Sequence, residues 1–157
     1  MAAKKKAAKK PVRRKAARPK AKARPKRKKP ETLRLRESVA GLTVNDIAKS
    51  IAWYRDVLGW TVGEEWRSEG TLMGAEMLAG RISVFLGQDD FKKGRDRKKG
   101  EGFRLYFRTA QSVDDLAAWI KSRGGTLDHD PKDEPWGERD LGITDPDGFK
   151  ITISNVR

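Results

Sequence analysis

The sequence contains no cysteine and only one histidine, His129. The lack of cysteine excludes disulfide bonds and zinc–thiolate sites. His129 lies in the polar stretch DHDP, and we interpret it as a surface residue. No apolar run approaches the roughly 20 residues of a membrane span, and the N-terminus lacks the apolar core of a secretory signal. We therefore expect a cytoplasmic protein with no membrane partner.

Acidic residues are absent from residues 1–30, which combine 16 lysines and arginines mainly with alanine and proline. The rest of the chain has 20 Lys/Arg against 22 acidic residues, so this segment carries all of the excess positive charge. With almost no large hydrophobic side chain it cannot offset the entropy cost of ordering, and we predict a disordered basic tail.

The tail is expected to bind DNA or RNA without sequence preference, because each cation that meets a phosphate releases condensed counterions. Its composition resembles the tails of linker histones and bacterial histone-like proteins, which implies nucleoid association if the protein is bacterial. A solubilising extension, an anionic membrane surface and a targeting role are the alternatives. The predicted nucleic-acid-binding residues are Lys4, Lys5, Lys6, Lys9, Lys10, Arg13, Arg14, Lys15, Arg18, Lys20, Lys22, Arg24, Lys26, Arg27, Lys28 and Lys29.

A β-hairpin is predicted near the end of the chain. The tetrad Asp145-Pro146-Asp147-Gly148 has the composition of a tight turn, and β-forming runs flank it at 138–144 and 149–154. A hairpin is not stable alone in water, so other strands and helices must pack against it.

Each half of residues 31–157 has the pattern β-α-β-β-β. In the first half, a strand at 38–44 precedes a helix that is capped at Asn45-Asp46 and stops at Gly59. Three short strands at 60–66, 71–78 and 81–88 follow it. The second half has a strand at 103–109, a helix built on Val113, Leu116, Ala117 and Ile120, a short strand at 126–128 and the hairpin.

The two halves also align with each other, since an offset of 66 residues places Ala52-Trp53 on Ala118-Trp119 and Gly59 on Gly125. Between them, residues 91–102 are basic and glycine-rich, which predicts a surface loop, with a second anion contact as the alternative. We predict an α+β fold in which two paired β-α-β-β-β modules, at about 36–90 and 103–155, form a curved mixed sheet around a cleft.

Two segments carry a specific family resemblance. VAGLTVNDIAKSIAWYRDVLGW resembles the first strand and helix of the vicinal oxygen chelate superfamily, which includes glyoxalases, extradiol dioxygenases and bleomycin resistance proteins. DPDGFKITIS resembles the terminal hairpin of that superfamily. The resemblance covers about residues 36–155.

Metal-dependent members of the superfamily hold one divalent ion with four inward-facing side chains. The resemblance places these positions at Val39, near Val84, at Arg104 and at Thr152. Valine has no donor atom, and the guanidinium of arginine has no free lone pair. We therefore expect no metal and no cofactor, as in the bleomycin-resistance-like branch.

The segment PWGERDLGITDPDG resembles part of the bleomycin resistance proteins, which bind drugs in a cleft between two subunits. This resemblance implies a homodimer with a small-molecule ligand. Aromatic side chains on the strands can stack on a flat or cationic ligand, although core packing is the alternative for each of them. Arg104 favours an anionic ligand, and Glu138 favours a cationic one. The predicted ligand-binding residues are Trp60, Trp66, Phe85, Arg104, Trp136 and Glu138.

The function predicted from the sequence is metal-independent binding of a drug or metabolite by a protein with a nucleic-acid-binding tail. No residue is assigned a catalytic role. One alternative is a lyase or dioxygenase-type enzyme of the same superfamily. The other is a DNA-associated architectural protein whose globular domain dimerises the tails.

Overall fold

The computed structural model describes residues 37–155. The predicted tail, at residues 1–30, lies outside this range. Within it, neither helix is long and apolar enough to cross a membrane. The elements are β1 (Ala40–Val44), α1 (Ile47–Asp56), β2 (Thr61–Ser68), β3 (Thr71–Ala79), β4 (Ile82–Gln88), β5 (Arg104–Thr109), α2 (Val113–Ser122), β6 (Leu127–Asp133), β7 (Arg139–Thr144) and β8 (Lys150–Asn155).

The strands form two four-stranded mixed sheets with the orders β1-β4-β3-β2 and β5-β8-β7-β6. The parallel pairs are β1 with β4 in the first sheet and β5 with β8 in the second. All other neighbouring strands pair antiparallel. This confirms the predicted α+β fold of two β-α-β-β-β modules. The internal repeat is also visible, because an offset of 66 residues places α1 on α2 from end to end.

Each helix covers one face of its own sheet. Asp46 caps α1 by accepting a hydrogen bond from the Lys49 N–H at 3.1 Å, as its position before the apolar run predicts. The buried side chains of α1 lie on the face of the first sheet that holds Leu42 and Val84. Among residues 37–155, no helix packs on the opposite face of either sheet, and we call it the open face.

One segment extends well beyond its sequence prediction. Strand β6 runs over Leu127–Asp133, well beyond the short strand predicted at 126–128. His129 therefore belongs to a strand and not to a loop. Residues 91–102 contain no helix or strand.

The turn between β7 and β8 joins the two modules. Asp145 accepts a buried hydrogen bond from the Tyr54 hydroxyl at 3.0 Å, and Asp147 accepts one from the Ser50 hydroxyl at 2.9 Å. The backbone N–H of Asn45 donates to Asp147 at 2.7 Å. The start and middle of α1 are therefore held by the last hairpin of the chain.

Candidate ligand-binding faces

Aromatic side chains form one wall of the open face of the first sheet. Trp66 on β2 and Phe85 on β4 meet edge to face, with ring centroids 5.1 Å apart. Both residues were predicted to bind ligand, and the structure brings them together. Phe85 is 38% exposed although it is a large hydrophobic residue in the middle of a strand, so its ring is available to a ligand.

Glycines form the floor beside these rings. Gly41 pairs with Phe85, and Gly74 pairs with Gly87, so all of them belong to one face of the sheet. A Cβ atom at Gly41 or Gly87 would meet no atom within 4 Å, which leaves open space above the backbone. Together with Met73, Trp66 and Phe85 they line a shallow pocket of about 400 Å³.

The sequence analysis missed the pocket floor and Met73, although a signal for the floor was present. A glycine inside a strand weakens it and often marks a place where a ligand approaches the backbone closely. Gly41, Gly74 and Gly87 all lie inside strands. Three such glycines at neighbouring positions of one sheet are the pattern that identifies the floor.

The open face of the second sheet is polar. The Tyr106 hydroxyl donates a hydrogen bond to Glu138 at 2.8 Å, and Arg108 pairs with the same carboxylate at 2.8 Å. The hydrogen bond from Tyr106 and the charge of Arg108 hold the pKa of Glu138 below its usual range. Glu138 is therefore a fixed negative charge at neutral pH.

Arg104 and Trp136, two further predicted residues, also belong to the second module. Arg104 donates a hydrogen bond to the Thr152 hydroxyl at 2.7 Å, across the parallel pair β5 and β8. Trp136 lies in the turn before β7 and is 65% exposed. Five of the six predicted residues thus fall into two groups: Trp66 and Phe85 on the first sheet, and Arg104, Trp136 and Glu138 in the second module.

Trp60 is the exception among the predicted residues. Its side chain is only 7% exposed and packs in the core against Tyr54 and against Phe107 of the second module. A ligand on the open face cannot reach a ring that lies inside the core. The structure therefore gives Trp60 a packing role in place of the predicted binding role.

His129 lies over the second sheet, which the interpretation of it as a simple surface residue did not anticipate. It pairs with Gly142, and a Cβ atom at Gly142 would come within 2.6 Å of its Nε2 atom. The same Nε2 is 4.0 Å from the buried carboxylate of Asp140. The missing side chain at Gly142 makes the room that the imidazole occupies.

The residues at the positions of the superfamily's metal ligands do not fit a metal ion. The Val84 side chain is buried on the helix side, and its neighbour on the open face is Phe85. Arg104 places a guanidinium at the third position, and Thr152, at the fourth, accepts a hydrogen bond from it. Throughout residues 37–155, no three His, Asp or Glu side chains are grouped so that they hold an ion.

Paired β-α-β-β-β modules with open sheet faces define the class of protein. The chain matches the Glyoxalase/Bleomycin resistance protein/Dioxygenase superfamily over residues 37–153, and it belongs to this family. Bleomycin resistance proteins of Geobacillus stearothermophilus and Staphylococcus aureus are each 30% identical to it over 127 residues, with 74% of this chain and 94% of theirs covered.

Solved structures support the same fold. TioX from Micromonospora sp. ML1 has a TM-score of 0.62 at 19% identity, covering 74% of this chain and 95% of its own. A member of the superfamily from Sphaerobacter thermophilus DSM 20745 has a TM-score of 0.60 at 24% identity, covering 76% and 98%. At these identities the likeness concerns the fold alone.

Proposed function

We propose that this protein binds and sequesters a small molecule without the help of a metal ion. The observation that carries the proposal is the edge-to-face pair of half-buried Trp66 and exposed Phe85 beside a floor of strand glycines. Such a surface fits a flat aromatic ligand. The ligand's ring can contact the side chains of Trp66 and Phe85 and lie close to the backbone of the glycines. The similarity to bleomycin resistance proteins supports this class of function.

The polar groups of the second module supply the specificity in this proposal. Glu138 offers a fixed carboxylate and Arg104 a guanidinium, so the second sheet can recognise a ligand that carries both a cationic and an anionic or acceptor group. Trp136 adds an exposed ring next to these groups. A ligand with one flat apolar part and one polar part matches both faces.

Titration of the protein with bleomycin and with a panel of flat aromatic compounds tests the proposal. Phe85→Ala removes one wall of the pocket, and we expect it to weaken binding by about tenfold, the value of a lost aromatic contact of roughly 1.4 kcal/mol. Calorimetric titration of the purified protein measures the dissociation constant.

Ile82→Ala is the matched control, because Ile82 is an exposed hydrophobic residue of the same strand that does not line the pocket. It should leave the affinity unchanged within about twofold. Equal affinities of wild-type protein and Phe85→Ala for every ligand that binds would refute the assignment of the pocket.

We further propose that residues 1–30 bind nucleic acid. Their 16 cations should give a plot of log affinity against log salt with a slope of about −7, if about half of them meet phosphates. We expect duplexes of unrelated sequence to bind equally well and deletion of residues 1–30 to abolish the binding. Fluorescence anisotropy at several salt concentrations measures both, and undiminished affinity after deletion would contradict the proposal.

A further inference from the structure

The basic segment between the modules is anchored to the domain by a buried ion cluster. The Asp89 side chain is 5% exposed and forms two ion pairs at 2.7 Å, one with Arg97 and one with Lys99. The Lys99 side chain is itself only 3% exposed. The Phe91 N–H donates to the same carboxylate at 2.8 Å. The Lys99 ammonium and the Arg97 guanidinium beside Asp89 hold the pKa of this carboxyl well below its usual range, so the cluster stays charged.

A second anchor fixes the other end of the segment. Gly100 has a φ of +69°, and a Cβ atom there would lie 2.3 Å from the carbonyl oxygen of Gly148. The backbone of the segment therefore packs directly on the turn between β7 and β8. Phe103 then meets Phe149 edge to face at 6.4 Å. The segment is therefore held to the domain at Arg97, Lys99 and Gly100, unlike a solvated linker.

The anchored segment and the turn border an open depression of about 710 Å³, which we call the basic cleft. Its lining contains six cationic side chains and three carboxylates. Arg97 and Lys99 both pair with the single carboxylate of Asp89, and Asp147 is occupied by Asn45 and Ser50. The cations that remain in the lining are Arg95, Lys98, Arg104 and Lys150, beside the carboxylates of Asp96 and Glu101.

These four cations have no ion-pair partner within residues 37–155. Two of them, Arg104 and Lys150, are direct neighbours across the parallel strands β5 and β8. Like charges placed opposite each other in a sheet are destabilising. The domain is otherwise rich in ion pairs, so two unpaired cations side by side stand out in it. An anion bound between them would remove the repulsion.

We propose that the basic cleft binds phosphate groups. Thr152 holds the guanidinium of Arg104, and the Asp89 cluster holds the backbone on either side of Lys98, before any ligand arrives. This lowers the ordering cost of binding. The guanidinium of Arg104 suits bidentate recognition of phosphate oxygens. The phosphates belong either to a small phosphorylated molecule or to the backbone of a nucleic acid that the tail has already captured.

Inorganic triphosphate is the probe, and the full-length protein is the sample. Titration followed by two-dimensional amide NMR should shift the signals of Gly100, Gly102 and Gly148, which border the cleft. The double variant Lys98→Gln/Lys150→Gln should raise the dissociation constant measured from these signals by about tenfold. Both side chains are exposed, so the fold tolerates the change.

The control is Lys92→Gln/Lys93→Gln, which removes the same charge from the same segment outside the cleft. It should change the constant by less than about twofold. Equal weakening in the two double variants, or shifts confined to residues 1–30, would overturn the proposal. In a second titration, a 12-base-pair DNA duplex that displaces triphosphate from these amides identifies nucleic acid as a ligand. If triphosphate stays bound, the site serves a small phosphorylated molecule.

Discussion

Tyr54 illustrates how one polar atom connects distant parts of the chain. Its place in the apolar stripe of the first helix could be predicted, and its ring is fully buried as expected. The partner of its hydroxyl could not be predicted, because Asp145 lies 91 residues away. Burial raises the pKa of both groups, so the hydroxyl remains protonated and keeps donating at neutral pH.

Replacing Tyr54 by Phe should lower the free energy of unfolding by about 1–3 kcal/mol, because it leaves a buried carboxylate oxygen without its donor. Urea denaturation at pH 7 measures the change. Tyr106→Phe is the matched control, since it also removes only a hydroxyl, one that is exposed and donates to Glu138. A loss as large in Tyr106→Phe as in Tyr54→Phe would show that burial of the hydrogen bond is not what matters.

The aromatic residues show which parts of the site follow from the sequence. Period-two alternation places Phe85 on the face opposite to its buried neighbours Val84 and Leu86. Trp60 precedes the first residue of β2, where no alternation applies. Its burial depends on Phe107 from the other module, a contact that local pattern cannot reveal.

The helices and the last hairpin were predictable because each has its own local signals. Caps, apolar spacing and turn residues all agree there. Strand β6 was only partly predictable, since its sequence LDHDPKD is polar on both faces and contains a proline. It forms at the edge of the second sheet, the position where proline is tolerated, and its register is irregular on both sides of His129.

The turn after the first helix is the point at which the two modules fit most closely. Gly59 has a φ of +68°, and a Cβ atom there would lie 2.2 Å from the ring of Trp119 on α2. Gly59→Ala should therefore destabilise the protein by about 3 kcal/mol or more, the cost of a left-handed alanine plus overpacking of the ring. Thermal and urea denaturation measure the change.

Gly80→Ala separates the two causes, because Gly80 has a similar φ of +59° but open space around it. It should cost only about 1 kcal/mol, the conformational part alone. The double variant Gly59→Ala/Trp119→Ala should lose less stability than the two single changes added together. If Gly59→Ala and Gly80→Ala lower the free energy of unfolding equally, close packing against Trp119 does not contribute to the effect.

Considered as a whole, the described part of the chain leaves two sheets incomplete. Strands β1 and β5 each have a neighbour on one side only. The open faces expose Phe85 and Tyr106, large side chains that a folded protein usually covers. The two modules could be predicted from the sequence. Which edges and faces stay open could not, because this depends on the order of the strands in each sheet.

We expect the full-length protein to be a homodimer, in which a second copy pairs with these edges and completes a cleft around the open faces. In a two-fold dimer the same edge strands of each subunit form the interface, so each contact occurs twice. Sedimentation equilibrium at tens of micromolar should give twice the mass of the 17.7 kDa chain. A single species with the mass of one chain would rule the dimer out.

The hydrogen bonds that fasten α1 to the final turn also set the order of folding during synthesis. They join residues 91, 97 and 102 positions apart, so none of them can form until Asp145 and Asp147 have left the ribosome. Until then the first module lacks the acceptor for its buried tyrosine. Contacts of such long range slow folding, and completion of the first module must wait for translation of the last hairpin.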